Sequence, residues 1–435
     1  MRILHISDNA LPWITGGTEV FCHQLALAQQ ASGCRVILCC HKNDQRQEPI
    51  GWHEYHRASI HVLPPLPDYR DRLTLVKRRT CDPVGFAALL QEVQPEIVHF
   101  HAFSQKVGLT HLELAREAGS RTVATIHAPG FTCMQGSLLY HRQHLCDGQI
   151  RLQRCTECRL VNGRLPFPLA WAVSHYGWPL FNPDNRGKLN HVLTARQMTA
   201  FFQQSWRTLV ENIDALHVLC KWSSQVLLRN GVPAGKVHLI RTGGPPPIPG
   251  PRREPMEDGV LRAVYWGRCA EVKGIHVIID AIKRLPTDAP IEVTFYGPYW
   301  DDDYGRQMKK FIVRDSRFHL AHNIPHADLL QKLKYYDVAL VPSIWLETGP
   351  LTVLEAFAAG LPVLGSCLGG IGELVQDGVN GELFETGKSQ KLAAIIKRLI
   401  QEPDSVRKLQ ANVKLSRTMS DVAEDTINLY DKLQK

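Results

Sequence analysis

The sequence predicts an α/β protein with two doubly wound domains. A chain of 435 residues is too long for one compact core. In both halves short apolar runs alternate with segments of helical periodicity, which is typical of parallel sheets covered by helices on both faces. Between the halves, "TGGPPPIPGPRREP" at 242–255 holds six prolines. Because so many prolines exclude a helix or a central strand, we expect a stiff interdomain connection there.

In the first half, apolar runs predict buried strands and segments with a 3.6-residue period predict helices. The predicted elements are "RILHIS" (2–7), "TEVFCHQLALAQQAS" (18–32), "RVILCC" (35–40), "SIHVLP" (59–64), helix then strand in "FAALLQEVQPEIVHFHA" (86–102) and "HLELAREAGSRTVATIHA" (111–128), a mainly helical stretch at 159–213, and the strands "ALHVLC" (215–220) and "KVHLI" (236–240). Gly33 suits the end of the first helix.

The second half repeats the alternation. Its predicted strands are "RAVYWG" (262–267), "IEVTFYG" (291–297), "DVALVPS" (337–343) and "LPVLGS" (361–366), and its predicted helices are "GIHVIIDAIKRL" (274–285), "LLQKLKYY" (329–336), "LTVLEAFAAG" (351–360), "KLAAIIKRLI" (391–400) and "DVAEDTINLYDKLQK" (421–435). In such folds ligands bind beyond the carboxyl ends of the strands. A cleft between the two domains is therefore the expected site.

Composition and charge limit the class of protein. Charged residues make up 21% of the chain and apolar residues 44%, as in globular proteins. We find no apolar run long enough for a membrane helix. The opening "MRILHISDNALPW" predicts a strand rather than a signal peptide, so a cytoplasmic protein is expected. The net charge of +8 fits an anionic ligand or an acidic membrane surface.

Basic residues concentrate in "YRDRLTLVKRRT" at 69–80. The cluster comprises Arg70, Arg72, Lys77, Arg78 and Arg79. Nothing beside it resembles a nucleic-acid module, so a nucleic-acid partner is not expected. The plainer interpretation is a solvated surface helix, and the sharper alternative is peripheral contact with anionic lipid headgroups at the inner face of a membrane.

The stretch "WLETGPLTVLEAFAAGLPV" (345–363) places two glutamates around an otherwise apolar segment. A carboxylate is almost never buried without a partner, because losing its hydration costs too much. Glu347 precedes the predicted helix, where it can accept hydrogen bonds from sugar hydroxyls. Glu355 lies inside the helix, and either a ribose or a local arginine or backbone amide could be its partner.

An anion site is predicted nearby. Pro350 suits an early helix position, which leaves amide groups around Gly349 and Leu351 at the positive end of the helix dipole. "WGRCAEVKG" (266–274) adds Arg268 and Lys273 at the end of a strand. Two cations there suit a diphosphate, although solvated cations at such a junction are common.

Together these motifs resemble the retaining glycosyltransferases of family 4, which have the GT-B fold. Glu347 and Glu355 with seven residues between them, Gly-Pro-Leu inside the pair and "AFAAGLPVLGS" (356–366) after it look like that family's donor-site signature. "GRCAEVKG" (267–274), "GGTE" (16–19) and "GGIGELVQDGVNGELFETG" (369–387) are also similar. The resemblance covers nearly the whole chain and implies two Rossmann-like domains facing across a cleft.

The resemblance also implies roles by position. Arg268 and Lys273 would neutralise the donor diphosphate, Glu347 would hold the transferred sugar, and Glu355 would bind the nucleotide ribose. The donor site would also include Gly16, Gly17, Gly267, Gly349, Pro350, Leu351 and Thr352. The base would lie near Tyr296–Gly297 and Asn323–Ile324.

A catalytic role near the transferred sugar would fall to His127 in "TIHAPG" (125–130). Relatives usually follow this histidine with aspartate, whereas this chain has Ala128, which weakens any acid–base role at that point. The alternative is an ordinary core or loop histidine. "RTGG" (241–244) also departs from the Asn-Gly of relatives, which we interpret as a linker difference.

The implied function is transfer of a hexose from a UDP- or GDP-linked donor to a sugar or lipid-linked acceptor, in polysaccharide or glycolipid synthesis. The implied domains are residues 1–245 on the acceptor side and 246–415 on the donor side, with 416–435 packing back on the first. Two alternatives are a sugar-nucleotide 2-epimerase and a non-catalytic nucleotide-sugar-binding scaffold.

Asp301, Asp302 and Asp303 in "WDDDYG" superficially match an Asp-x-Asp metal site. The run opens a predicted helix, where aspartates cap free amide groups and complement the dipole. We therefore predict capping and expect no metal cofactor for catalysis, since protein cations replace it in GT-B enzymes.

A cysteine cluster is the remaining candidate metal site. Cys133, Cys146, Cys155 and Cys158 follow a Cys-x12-Cys-x8-Cys-x2-Cys spacing in a predicted loop-like segment. Four cysteines in such a segment of a cytoplasmic protein suit a structural zinc ion, with His141 and His144 as substitutes. The alternative is four free thiols in a small hairpin.

Overall fold

A computed structural model describes the chain except residues 15, 44–48, 67–70, 81–82, 105, 177–180, 186, 299, 322–323 and 415–416. The chain divides into two compact units. Unit 1 comprises Met1–Arg241 and Met419–Lys435, and unit 2 comprises Thr242–Thr418. In each unit parallel strands alternate with helices, as the sequence predicts.

Unit 1 is built on an eight-stranded sheet. Its strands are β1 (Arg2–Ile6), β2 (Arg35–His41), β3 (Gly51–Tyr55), β4 (Ala58–Leu63), β5 (Ile97–Phe100), β6 (Arg121–Ile126), β9 (Ala215–Val218) and β10 (Val237–Leu239), and a separate small hairpin contains β7 (Leu139–Tyr140) and β8 (His144–Leu145). The order across the large sheet is β10-β9-β6-β5-β1-β2-β4-β3.

The helices of unit 1 cover both faces of this sheet. They are α1 (Gly17–Ala31), α2 (Arg72–Lys77), α3 (Phe86–Val93), α4 (Leu109–Glu117), α5 (Leu152–Asn162), α6 (Phe167–His175), α7 (Lys188–Leu193), α8 (Ala195–Asn212), α9 (Lys221–Arg229) and α17 (Met419–Gln434). One core packs α3, α4 and α8 on one face of the sheet, and a second core packs α1 and α17 on the other.

The sequence did not predict β3, which forms an antiparallel hairpin with β4 at the edge of the sheet. Its five residues alternate between half-buried and exposed, so the strand lacks the continuous apolar run that marks the buried strands. The sheet is therefore parallel, as predicted, except at this edge.

Unit 2 contains a six-stranded, entirely parallel sheet of order β13-β12-β11-β14-β15-β16. Its strands are β11 (Leu261–Trp266), β12 (Ile291–Tyr296), β13 (Phe318–Leu320), β14 (Val338–Val341), β15 (Val363–Ser366) and β16 (Gly381–Phe384). Its helices are α10 (Ile275–Ile282), α11 (Asp303–Ile312), α12 (His326–Leu333), α13 (Leu351–Ala358), α14 (Gly369–Leu374), α15 (Ser389–Gln401) and α16 (Pro403–Ala411).

The proline-rich segment is part of unit 2 and is fastened to it by hydrogen bonds. Gly244 N–H donates to Arg417 O at 3.0 Å, and Ile248 N–H donates to Ala358 O at 2.9 Å. The segment therefore packs along unit 2 instead of crossing solvent as a bare connection.

None of the helices in the described part of the chain has the length and hydropathy needed to span a bilayer.

Candidate functional site

Two glycines shape the turn after β11. Gly267 has φ +140° and Gly274 has φ +76°, values that L side chains rarely adopt. A Cβ on Gly274 would lie 2.1 Å from Pro342 O, so only glycine lets this turn pack against the end of β14. The turn holds Lys273 directly before α10, while the side chain of Arg268 is exposed.

The loop after β12 packs equally closely against the loop after β11. Gly297, after β12, has φ +138°, and a Cβ there would lie 1.9 Å from Gly267 O. The Tyr296 hydroxyl lies 3.0 Å from the Tyr336 hydroxyl. Tyr296 and Gly297 belong to the predicted base-binding region, and Asn323 of the same prediction lies outside the described residues.

Glu347 and Lys273 form an ion pair. Lys273 Nζ lies 2.6 Å from Glu347 Oε1, and the same oxygen accepts hydrogen bonds from Ser343 Oγ at 2.9 Å and Trp345 Nε1 at 3.0 Å. Burial alone would raise the pKa of Glu347. The charge of Lys273 and the hydrogen bonds from Lys273, Trp345 and Ser343 outweigh burial and lower the pKa. Glu347 is therefore held as a carboxylate.

Glu355 is 7% exposed and has two side-chain partners. Trp266 Nε1 donates to Oε2 at 2.6 Å, and His326 Nε2 lies 2.8 Å from Oε1. The hydrogen bond to Glu355 raises the pKa of His326 more than partial burial lowers it. The local partner is thus an indole and an imidazole, not the arginine or backbone amide that we considered.

The loop that carries Glu347 is clamped from the other side by α14. Gly370 N–H donates to Glu347 O at 2.7 Å, and a Cβ on Gly370 would lie 2.8 Å from Thr348 O. This close packing fixes the backbone directly before Gly349 and the first turn of α13, which contains Leu351 and Thr352. Pro350 is the N-cap of α13, one residue before its predicted position inside the helix.

Unit 1 has its own cavity of about 470 Å³ at the carboxyl ends of β1, β5 and β6. His127, Glu19 and Asp8 line it, and burial raises the pKa of Asp8. Gly16 is the N-cap of α1, which begins at Gly17, and a Cβ on Gly16 would lie 2.5 Å from Glu19 Oε2. The "GGTE" motif therefore lets the backbone and Glu19 meet closely beside the cavity.

His127 ends a chain of buried hydrogen bonds. His127 Nε2 lies 2.9 Å from His101 Nδ1, His101 Nε2 lies 2.8 Å from His5 Nδ1, and His5 Nε2 lies 2.7 Å from Gln29 Oε1. Burial lowers the pKa of all three histidines, to about 3 for His127 and about 4 for His5, so each ring is neutral.

The orientation of Gln29 fixes the tautomers in this chain. Thr426 Oγ1 donates to Ala423 O at 3.0 Å and so accepts from Gln29 Nε2 at 3.1 Å. Gln29 Oε1 must then accept from His5 Nε2–H. A neutral His5 accepts from His101 through Nδ1, and His101 in turn accepts from His127. The network thereby assigns the proton of His127 to Nε2.

A second row of polar groups lies on the same face of the sheet. His99 Nδ1 contacts the Tyr430 hydroxyl at 2.6 Å, and Thr125 Oγ1 bridges His99 and His217 at 2.6 and 2.8 Å. Our sequence reasoning missed these residues. The available signal was a histidine inside each of the predicted strands "RILHIS", "IVHFHA" and "ALHVLC", where apolar side chains are expected.

Arg78 corrects the interpretation of the basic cluster as a solvated helix. Its side chain is 2% exposed, Nη2 donates to Gly130 O and Phe131 O at 2.9 and 2.7 Å, and the guanidinium lies 4.5 Å from the centre of the Phe202 ring. Helix α2 ends at Lys77, and Arg78 turns inward with φ +50°. Arg79 is exposed and pairs with Glu113, and Arg70 lies outside the described residues.

Asp302 caps α11, as predicted. Its Oδ1 accepts from Gly305 N–H at 2.6 Å. Asp301 pairs with Lys309 at 2.8 Å and Asp303 pairs with Arg306 at 2.6 Å, so all three carboxylates have helix partners.

The four clustered cysteines converge in unit 1. Cys155 and Cys158 lie in α5, so the segment is not loop-like throughout, because "LQRCTECRLVN" forms three helical turns. All four cysteines line one small cavity, and none of them is in a disulfide bond.

Comparison with known proteins finds family profiles that match successive parts of the chain. A family profile described as "Glycosyltransferase Family 4" matches residues 15–244, and one described as "Glycosyl transferases group 1" matches residues 252–416. The glycogen synthase of Mycobacterium tuberculosis (strain ATCC 25618 / H37Rv) is 30% identical over 204 residues, which cover 46% of this chain and 45% of that protein. The chain thus spans about half the length of this curated relative.

Longer matches are more distant. The D-inositol 3-phosphate glycosyltransferase of Arthrobacter sp. (strain FB24) is 23% identical over 416 residues, which cover 92% of this chain and 86% of that protein. The crystal structure of Anabaena Alr3699/HepE in complex with UDP has a TM-score of 0.64 at 15% identity, and covers 99% of this chain and 100% of that one. At this identity the likeness supports the GT-B fold alone.

The profile that matches residues 15–244 covers more than half of the chain, and the second profile accounts for most of the remainder. The protein belongs to glycosyltransferase family 4 and has the GT-B fold.

Proposed function

We propose that this protein is a retaining glycosyltransferase that moves a hexose from a nucleotide diphosphate sugar to a hydroxyl acceptor in polysaccharide or glycolipid synthesis. The observation that carries the proposal is the Lys273–Glu347 pair beside the N-terminus of α13. A carboxylate for sugar hydroxyls and a cation for phosphate then lie in direct contact at the carboxyl ends of parallel strands, where such folds bind ligands.

The donor is held by unit 2. Arg268, Lys273 and the amide groups at the start of α13 stabilise the negative charge that develops on the departing diphosphate. An ammonium has three N–H donors, so Lys273 can keep Glu347 while it contacts a phosphate oxygen. Glu355 accepts hydrogen bonds from the ribose, which takes the place of one of its present partners.

The acceptor is held by unit 1, in the cavity lined by Glu19 and His127. The acceptor oxygen bonds to the anomeric carbon on the face from which the diphosphate departs, the bond between that carbon and the diphosphate breaks, and the hydroxyl proton passes to the departing phosphate oxygen. The anomeric configuration is thereby kept, and no covalent bond to the enzyme forms. His127 donates its Nε2–H to His101, so that proton is not available for transfer to a substrate. The role of His127 is therefore to position the sugar rather than to transfer a proton. The leaving diphosphate needs no divalent cation, because protein cations replace it.

The nucleotide is UDP or GDP, and the acceptor is a sugar or a lipid-linked acceptor. Peripheral membrane contact occurs through the exposed members of the basic cluster. Anabaena Alr3699/HepE, which shares the fold, was crystallised with UDP. This neighbour makes UDP-sugars the first donors to test.

A thermal-shift panel of UDP- and GDP-sugars, followed by a nucleotide-release assay, tests the proposal. A donor should raise the melting temperature through mass action and should release its nucleoside diphosphate slowly in water. Formation of an epimeric sugar would indicate the 2-epimerase instead. Tight binding without any release, with or without candidate acceptors, would indicate the non-catalytic scaffold.

A further inference from the structure

We propose that Cys133, Cys146, Cys155 and Cys158 bind one structural zinc ion that fixes a wall of the unit 1 cavity. The four residues come from separate places in the segment. Cys133 follows a 3-10 turn at Pro129–Phe131, Cys146 follows β8, and Cys155 and Cys158 lie one helical turn apart on α5.

The four side chains converge on one small internal space. They all line a cavity of about 40 Å³, slightly more than the volume of one water molecule. The remaining lining is mainly apolar and includes Leu138, Leu139, Ile150 and Phe202. A cavity of this size that is bordered by four soft ligands suits a bare metal ion better than any organic ligand.

Hydrogen bonds to sulfur support a thiolate site. Arg151 N–H donates to Cys155 Sγ at 3.3 Å, His141 N–H donates to Cys158 Sγ at 3.4 Å, and the Arg154 guanidinium lies 3.4 Å from Cys146 Sγ. A neutral thiol is a weak acceptor, whereas a metal-bound thiolate is stabilised by such outer-shell donors. Three of the four sulfur atoms therefore already have a hydrogen-bond donor beside them.

A crosslink would also strengthen the segment. Strands β7 and β8 have two residues each, and both residues of β8 are exposed. Such a short hairpin has little backbone hydrogen bonding of its own, and contacts such as that of the Tyr140 hydroxyl with Glu157 tie it to α5. A metal that joins Cys146 to α5 would add to this attachment, since metal binding free energy becomes folding free energy.

Local charge fits the ligand set. A zinc ion with four thiolates carries a net negative charge, and Arg151 and Arg154 lie beside it. Asp147 faces both arginines, at 3.1 Å from Arg151 Nη2 and in a short contact with Arg154, so one negative charge offsets only one of two positive charges. One positive charge in excess therefore remains to stabilise the thiolates.

Metal binding requires a rearrangement of the thiols. In the described part of the chain, no three of these sulfur atoms lie within 4.8 Å of one another. Rotation about χ1 moves each Sγ without moving the backbone, and the cavity gives the sulfurs a common centre to face. His141 and His144 are not required as substitutes, because four cysteines already surround the space.

The ion would act on the candidate acceptor cavity through a shared wall. Cys133, Met134 and Gln135 line both the cysteine cavity and the larger cavity that contains His127. Arg159, the residue after Cys158, also lines the larger cavity. Fixing α5 to the Cys133 loop would therefore set the width of that cavity without contact between metal and substrate.

The test is metal analysis of the full-length protein purified without chelators. We expect one zinc per chain by elemental analysis, and its release by a mercurial that titrates thiols. After exchange, Co²⁺ should give the visible absorption of a tetrahedral tetrathiolate site. A metal-free protein that gives no such spectrum with Co²⁺ would overturn the proposal, as would disulfide bonds among these cysteines under reducing purification.

Two variants locate the ion. The double variant Cys155→Ser, Cys158→Ser should lose the zinc, whereas Cys367→Ser, which removes an exposed thiol of unit 2, should retain it. Zinc retained by the double variant would place the metal elsewhere, for example at the buried group His5, His99 and His101, and would sink the proposal. If the double variant does not fold, the Co²⁺ spectrum of the unaltered chain still decides.

Discussion

Lys273 Nζ lies 2.6 Å from Glu347 Oε1, although the two residues are 74 positions apart in the chain. The pair is formed because β11 and β14 are neighbours in the sheet of unit 2, so that the loops after them meet. The pair joins the residue proposed to neutralise the diphosphate with the residue proposed to hold the sugar. Each therefore positions the other before a donor binds.

Lys273→Ala should reduce transfer by on the order of a hundredfold or more, the effect of removing one preorganised charge stabiliser. It should also raise the pKa of Glu347, which would lose its ion pair while staying buried. Nucleotide release with an acceptor is the measurement. The control Lys310→Ala removes an exposed lysine of α11 and should leave turnover unchanged. Near-normal turnover of the Lys273 variant, with the fold intact, would refute the assigned role.

The His326–Glu355 pair should make stability depend on pH. The pKa of His326 is raised in the folded state, so the pair stabilises the protein fully below the ordinary histidine pKa of about 6.5. That contribution is lost as the pH rises through the raised, folded-state pKa. Denaturant unfolding of wild type and His326→Gln should therefore differ more at acidic than at alkaline pH. A difference that grows toward alkaline pH would contradict the assignment.

Gln29→Leu should disturb His127 through two intervening rings. Without the amide oxygen, the Nε2–H of His5 loses its acceptor, and a change of tautomer along His5 and His101 relieves the cost of about 1–3 kcal/mol. Nitrogen-15 NMR of the histidine rings should show His127 protonated at Nε2 in wild type and a different pattern in the variant. His127→Asn identifies the signal. An unchanged His127 spectrum would show that the network does not determine its tautomer.

Arg78→Met should destabilise the protein by about 2–3 kcal/mol, because a buried guanidinium that donates to two carbonyl groups is removed. The adjacent variant Arg79→Met is the matched control. It breaks only an exposed ion pair with Glu113 and should cost less than about 1 kcal/mol. Equal effects in urea unfolding would mean that Arg78 is no more structural than its neighbour.

Asp302→Ala should lower stability by about 1 kcal/mol through loss of the cap on α11. Asp303→Ala removes a fully exposed carboxylate of the same run and should cost less. Adding Mg²⁺ or Mn²⁺ should not change the turnover of wild type. Metal-dependent turnover that disappears in Asp302→Ala would instead support the Asp-x-Asp interpretation.

Local sequence determined much of this protein. Alternating apolar runs and helical periods predicted most of the parallel strands and their helices, because these periods follow from backbone geometry within each segment. They did not predict the short strands β13 and β16. The positions of Arg268, Lys273, Glu347 and Glu355 followed from short motifs at strand and helix ends. The cap at Asp302 followed from three aspartates before a helix. Each of these features depends on residues close together in the chain.

Only the tertiary structure decided which of these groups meet. In unit 2 the strand order brings Lys273 into contact with Glu347. In unit 1 it brings the histidines of β1, β5 and β9 onto one face of the sheet. No periodicity in the chain encodes the order of the strands. Gln29 contacts Tyr430 across 401 positions because α17 returns to unit 1. Arg78 is buried because α2 ends one residue earlier and two carbonyl groups lie within reach. A buried polar group takes whatever partner the fold supplies, so such pairs depend on the fold as a whole rather than on any single segment.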